Sequence, residues 1–153
     1  MSKALGTELP QALQTLLSGN DLESHWGEAI PLATVDDQGL PHFAILSFGE
    51  VIATSATELR IGTYPNSGTT RNMQSRPGIG LLMVHGDGIY YIKGLAKHVP
   101  LESGGVARFD VAIQSVSVDS EPGARITSGL GFEISHGKEW WLATARKNLA
   151  ALL

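Results

Sequence analysis

The chain has 153 residues, 42% of them apolar and 17% charged, which is enough to build a core and too little charge for a disordered tail. Eleven Lys and Arg stand against fifteen Asp and Glu, a formal charge of -4, which argues against a partner held by its phosphate backbone and so against nucleic acid. There is no cysteine, which excludes disulfides, thiolate zinc sites, iron–sulfur clusters and a Cys nucleophile together.

One domain spanning residues 1–153 is expected at this length. Met1 to Leu9 has no basic start followed by an apolar block, so no signal peptide is expected there. No apolar run is long enough to span a bilayer, and the expectation is a cytoplasmic protein with no membrane partner. Pro10 to Leu17 places Leu9, Ala12, Leu13, Leu16 and Leu17 on one helical face, with Ser18-Gly19-Asn20 as a stop. After a polar loop containing Trp26, Ile30 to Val35 reads as a strand, Asp36-Asp37-Gln38-Gly39 as a turn, and Pro41 to Phe48 as the returning arm of a hairpin. Gly49 reads as a bulge, beyond which Val51 to Thr54 continues in the same direction. Leu59 to Tyr64 is the next strand.

From Asn66 the pattern changes to cap residues followed by helix formers. A short helix is predicted with Asn66 or Ser67 at its N-cap, stopping at Arg76-Pro77-Gly78. Ile79 to His85 and Ile89 to Val99 form a long hairpin about Gly86-Asp87-Gly88; Tyr90, Ile92, Gly94 and Ala96 share one face of its second arm. Phe109 to Val118 has a strand's content, and Glu121-Pro122-Gly123 turns the chain into a further extended segment, Arg125 to Ile134. Lys138 to Leu153 closes the sequence as a helix on the spacing of Trp141, Ala145, Leu149 and Leu152. Six or seven strands, 18 glycines spread among their turns, and small helices at both ends and in the middle point to a mainly β protein, an antiparallel six- to seven-stranded barrel with short flanking helices.

No catalytic motif stands out. The five histidines include no pair at metal-ligand spacing within a helix, and no metal site is expected. The sequence has no Gly-x-Ser-x-Gly elbow, Walker A lysine or dinucleotide fingerprint. One constellation remains, where Leu59 to Tyr64 runs into Ser67-Gly68-Thr69-Thr70-Arg71-Asn72. The hydroxyls of Ser67, Thr69 and Thr70, the Arg71 guanidinium and the free amides of a helix start suit an anion. The same residues also read as an ordinary N-cap with a solvated arginine.

The run from Pro31 to Ala96 resembles the pyridoxamine 5'-phosphate oxidase-like family of FMN-binding split barrels. The resemblance lies in Leu32-Ala33-Thr34-Val35 with Gly39-Leu40-Pro41-His42, Ile61-Gly62-Thr63, Ser67-x-Thr69-x-x-Asn72-Met73, Arg76-Pro77 before Leu81-Leu82, and Gly94-x-Ala96. It implies a split barrel that dimerises with FMN at the interface of the homodimer. The ring would lie along the strand from His42 to Ser47, held with the ribityl chain by Thr63, Asn72 and the backbone of Ile45, Leu46 and Ser47. The phosphate would fall to Ser67, Thr69, Thr70 and Arg71, since Thr69 stands where the family's lysine would be. No Arg-Leu-His-Asp-Arg-type segment occurs between Gly131 and Leu153, so pyridoxamine 5'-phosphate is not the implied substrate. The flavin carries its own redox chemistry, so no catalytic side chain is required. The implied function is a flavin-dependent oxidoreductase with an unidentified small-molecule substrate and a nicotinamide or partner donor. Two alternatives stand beside it: a haem-binding or haem-degrading split barrel, with His136 or His98 as axial ligand, and a non-enzymatic ligand-binding barrel that has lost flavin.

Overall fold

A computed structural model describes residues 1–102 and 105–153. Eight strands and three helices follow one another as β1 (Ser2–Gly6), α1 (Gln11–Leu16), β2 (Ala29–Val35), β3 (Pro41–Ser47), β4 (Val51–Ala53), β5 (Glu58–Thr63), α2 (Gly68–Ser75), β6 (Gly78–His85), β7 (Gly88–Val99), β8 (Ala107–Asp119) and α3 (Gly137–Leu152), with a 3-10 turn at Leu22–His25.

The strands form one antiparallel sheet whose main path runs β3-β2-β6-β7-β8-β5-β4. β8 is long enough to divide its second edge, pairing Ala107 to Ala112 with β5 and Val116 to Asp119 with β1. The two outermost strands of the path, β3 and β4, are joined by Phe48, Gly49 and Glu50 alone. Three residues span roughly 10 Å at most, so the sheet has to curl until its two free edges come together. The fold is therefore a split barrel of seven strands along its path, as expected, with β1 added at the end of β8.

Alternation along the strands fills the interior. Leu32, Leu59, Ile61, Leu81, Ile92, Phe109 and Val111 are buried in one cluster. Leu9, Leu13 and Leu17 insert from α1 and its flanks, and Trp141, Leu142, Ala145, Leu149 and Leu152 join the cluster from α3. Arg60 on β5 donates from Nη1 to the carbonyls of Leu152 (2.8 Å) and Leu153 (3.0 Å), a cation placed at the negative end of the α3 dipole. Among the described residues, no helix is long and apolar enough to cross a membrane.

Four features differ from the sequence expectation. β1 pairs with β8 through its backbone; its residues are nearly all exposed, so no hydrophobic period announced it. β4 does not continue β3 past a bulge: the chain turns at Phe48–Glu50, and β4 pairs with β5 on the opposite edge. Arg125 to Ile134 is not a strand. It makes one isolated bridge, Gly131 to Glu28, flanked by the bonds from Ala29 N–H to Leu130 O and from Phe132 N–H to Gly27 O. β6 pairs with β2 through Leu32 and Ala33, so the segment meets only the leading end of β2, at Ala29, and extends no ladder along it. Finally, the small residues Gly94 and Ala96 suggest a face that a planar ring or another subunit could approach closely, but Gly94 receives the protein's own β8: a methyl group there would lie 2.5 Å from Val111 Cγ1 and 2.9 Å from the Ala112 carbonyl oxygen.

Candidate functional site

The candidate residues gather around β3 and the start of α2. Among the described residues, β3 pairs with β2 on one side and with no strand on the other, so its outer edge presents unpaired amides and carbonyls. Its exposed face carries Phe43 and Ile45, 70% and 54% exposed, while Leu46 points into the core. A stretch from His42 to Ser47 covers roughly 17 Å, the reach of an extended flat ring with a side chain attached.

Helix α2 begins where the sequence placed it. Ser67 is the N-cap, its Oγ accepting from the Thr70 amide at 3.1 Å. The Thr70 hydroxyl is fully engaged within the chain. It donates to the Tyr64 carbonyl (2.6 Å) and receives hydrogen bonds from Thr63 Oγ1 (2.6 Å) and Ser67 Oγ (3.1 Å). Thr63, Thr69, Thr70 and Asn72 are all buried. Asn72 donates from Nδ2 to Thr34 Oγ1 (3.1 Å) on β2, and Thr34 reaches in turn to the His42 carbonyl, so α2 is laced to the hairpin beside it.

The expected residues thus separate by role. Thr63, Thr70, Asn72 and the Ser67 hydroxyl build the corner. The first-turn amides of Gly68 and Thr69 have no acceptor among the described residues, and Arg71 and His42 stand beside them. A methyl group placed on Gly68 would lie 3.7 Å from Arg71 Nη2 and 3.9 Å from His42 Cε1, so a guanidinium and an imidazole flank the same helix start. Arg71 is exposed and is steadied by a bond from Nη1 to the Asn66 carbonyl (2.8 Å).

Ile45, Leu46 and Ser47, at the other end of β3, line a separate cleft of about 200 Å³ against α3. Tyr64, Phe132, Trp140 and Trp141 form its aromatic walls, and Glu50 is its carboxylate. Trp26 backs those walls, 5.6 Å from Trp141 and 6.2 Å from Phe132 between ring centroids.

A curated relative, the uncharacterized protein YclD of Bacillus subtilis (strain 168), is 36% identical over 141 residues, covering 90% of each chain. A solved pyridoxamine 5'-phosphate oxidase-like protein of Lactobacillus delbrueckii superposes with a TM-score of 0.57 at 15% identity, over 74% of this chain and 98% of that one. The chain belongs to the family of YclD, and its fold is that of the pyridoxamine 5'-phosphate oxidase-like split barrels. The structure of HutZ from Vibrio cholerae, described as a heme storage protein, shares this fold with a TM-score of 0.52 at 12% identity, over 72% of this chain and 93% of that one. No family model matches the sequence.

Sequence reasoning missed Glu50. Its signal was present, an acidic residue between Phe48-Gly49 and Val51-Ile52. The carboxylate folds back over its own turn, accepting from the Ser47 amide at 2.5 Å, while the Glu50 carbonyl accepts from Gly62 N–H at 2.8 Å. Burial pushes the Glu50 pKa above the ordinary value of 4.5, against the opposing effect of the Ser47 hydrogen bonds. The folded protein therefore holds this proton more tightly than the unfolded chain does. The resulting stabilisation is complete below pH 4.5 and is lost as pH rises through the raised pKa. Glu50→Gln keeps an acceptor for Ser47 and carries no charge. Its Tm is expected to exceed that of the parent by on the order of 2 °C at neutral pH. The difference should close towards about pH 4, and thermal unfolding followed across this range checks it.

Proposed function

We propose that the protein is an FMN-binding oxidoreductase that works as a homodimer on a small-molecule substrate, with a nicotinamide or a partner protein as electron donor. The observation that carries this reading is the arrangement of β3. An unpaired strand edge leads from the aromatic cleft at Ile45 to Ser47 up to a helix start flanked by Arg71 and His42. The pyrimidine edge of a flavin needs alternating donors and acceptors, which a free strand edge supplies. A phosphate needs amides and positive charge, which the α2 start supplies.

In this reading Gly68 and Thr69 N–H, Arg71 and His42 hold the phosphate, and the backbone of Ile45, Leu46 and Ser47 holds the ring. Thr63, Ser67, Thr70 and Asn72 fix the corner between them. When bound, FMN supplies hydride or electron transfer at its ring, so the chain's task is to bind, orient and exclude water. The homodimer is supported by what surrounds β3. Phe43 and Ile45, 70% and 54% exposed on one face of β3, are large apolar side chains of the kind a partner covers. The cleft of about 200 Å³ is smaller than the roughly 300–1,000 Å³ of ordinary ligand sites, and a second copy laid on β3 would supply the missing wall.

One observation favours haem as a second reading. The His136 ring lies tilted against that of Trp140, 4.8 Å between centroids, and Trp140 lines the cleft, so His136 is the histidine nearest to a place where an axial ligand would be of use. His98 lies instead on β7 against Phe109. The absorption spectrum of freshly purified protein, followed by titration with FMN, distinguishes the readings. Flavin bands, or saturable quenching of FMN fluorescence, are expected. A Soret band that is lost in His136→Ala puts haem first, and a colourless protein that ignores FMN overturns the flavin reading.

A further inference from the structure

The cleft between β3 and α3 is lined by aromatic rings and one carboxylate, and among its lining residues there is no Lys, Arg or His. We propose that this cleft is a binding site for a small organic cation with a flat apolar body, held by the rings of Trp140 and Tyr64 and by the carboxylate of Glu50.

Three observations converge on that class of ligand. The first is the charge of the walls: Glu50 is the single carboxylate, and Tyr64 the other titratable side chain, in a lining otherwise apolar or neutral. An anionic ligand would meet repulsion with no compensating donor of positive charge. The second is the state of the carboxylate. One oxygen, Oε2, accepts from Ser47 N–H, while among the described residues Glu50 has no ion-pair partner. Half-buried beside Trp140 and Trp141, the ionised group is held in unfavourable surroundings that a bound cation would correct. The third is the availability of the rings. Trp140 and Tyr64 line the cleft while remaining 47% and 74% exposed. A cation over an aromatic face is attracted by the ring quadrupole, most strongly over Trp.

The neighbouring cleft under the Ser128–Gly131 segment makes a useful contrast. It is larger, about 340 Å³, but its one carboxylate, Glu28, is already held by His25 at 3.0 Å. Glu50 has no such neighbour. The cation site does not depend on the flavin reading, although Ile45 to Ser47 border both.

Calorimetric titration of the full chain without FMN tests it, using benzyltrimethylammonium as the cation, benzyl alcohol as its neutral counterpart and benzoate as the anion. The expected result is saturable binding of benzyltrimethylammonium, one per chain, at least tenfold tighter than benzyl alcohol, with benzoate weakest. Glu50→Gln should abolish the preference for the cation while leaving benzyl alcohol unchanged. Trp140→Leu, at an exposed position outside the core, should weaken both. Absence of saturable cation binding, benzoate binding as tightly as the cation, or an undiminished preference in Glu50→Gln would each overturn the proposal. A parallel FMN titration keeps the two readings apart: cation binding without FMN binding removes the flavin reading alone, and the reverse removes the cation site alone.

Discussion

Gly49→Ala is expected to lower the stability of the protein by about 3 kcal/mol, the upper end of what overpacking ordinarily costs. A methyl group at this position would lie 2.5 Å from Ala145 Cβ and 2.8 Å from Ala145 Cα. The second contact is with helix backbone, so no rotamer change relieves it, and α3 would have to back away from the β3–β4 turn. That retreat would disturb buried neighbours of Ala145, since Trp141, Leu142 and Leu149 lie on the same helix face. It would also open the cleft, which the turn and α3 line together through Glu50, Trp141 and Ala145. Denaturant unfolding measures the loss. Gly39→Ala makes a sharp control: its space is open, with nothing within 4 Å, and its cost should come from the positive φ of 79° alone. Equal stability of Gly49→Ala and the parent would mean that α3 does not seat on this turn.

Gly49 also shows how far the sequence could be read. A glycine between two apolar runs is a local signal, and a bulge was the local explanation. The actual cause is the approach of a helix almost a hundred residues away, which no pattern near Gly49 records. The same division holds elsewhere. Strands with one buried face, such as β7 with Ile92, Gly94 and Ala96 inward, announce themselves by period two, and the N-cap at Ser67 by its residue type. Elements held by backbone alone do not. β1 has no apolar alternation, while Ile126, Leu130, Phe132 and Ile134 alternate like a strand but meet β2 only at its leading end, ahead of the β6 ladder. At the candidate site the residue types around α2 were legible, but their division of labour was not. Thr70 looked like one hydroxyl among three; its role as the hub joining Thr63, Ser67 and Tyr64 depends on how β5 and α2 meet. Glu50 was passed over because a single acid near a turn is usually solvated. What marks it is the set of rings brought to it from β5, the Phe132 segment and α3.

Arg71→Ala is expected to weaken FMN binding by roughly 1.5–3 kcal/mol, a ten- to 150-fold rise in Kd, the scale of a lost charge-assisted hydrogen bond. Stability should hardly change, because the side chain is exposed and, among the described residues, bonds the Asn66 carbonyl alone. The exposure has a second consequence. The contribution of Arg71 should shrink as salt is added, whereas a buried pair would resist screening. Comparing FMN with riboflavin isolates the phosphate, since the two differ in that group alone. If Arg71 and the first turn of α2 hold the phosphate, the variant loses FMN affinity and keeps its riboflavin affinity. His42→Leu, on the other side of Gly68, should show the same selectivity with a smaller loss, because it removes one ring N–H donor rather than a forked guanidinium. An equal loss for both ligands would place Arg71 against the ring instead. An unchanged FMN Kd would move the phosphate away from α2 altogether, and the unpaired edge of β3 would then have to be explained by the second copy of the chain rather than by a flavin.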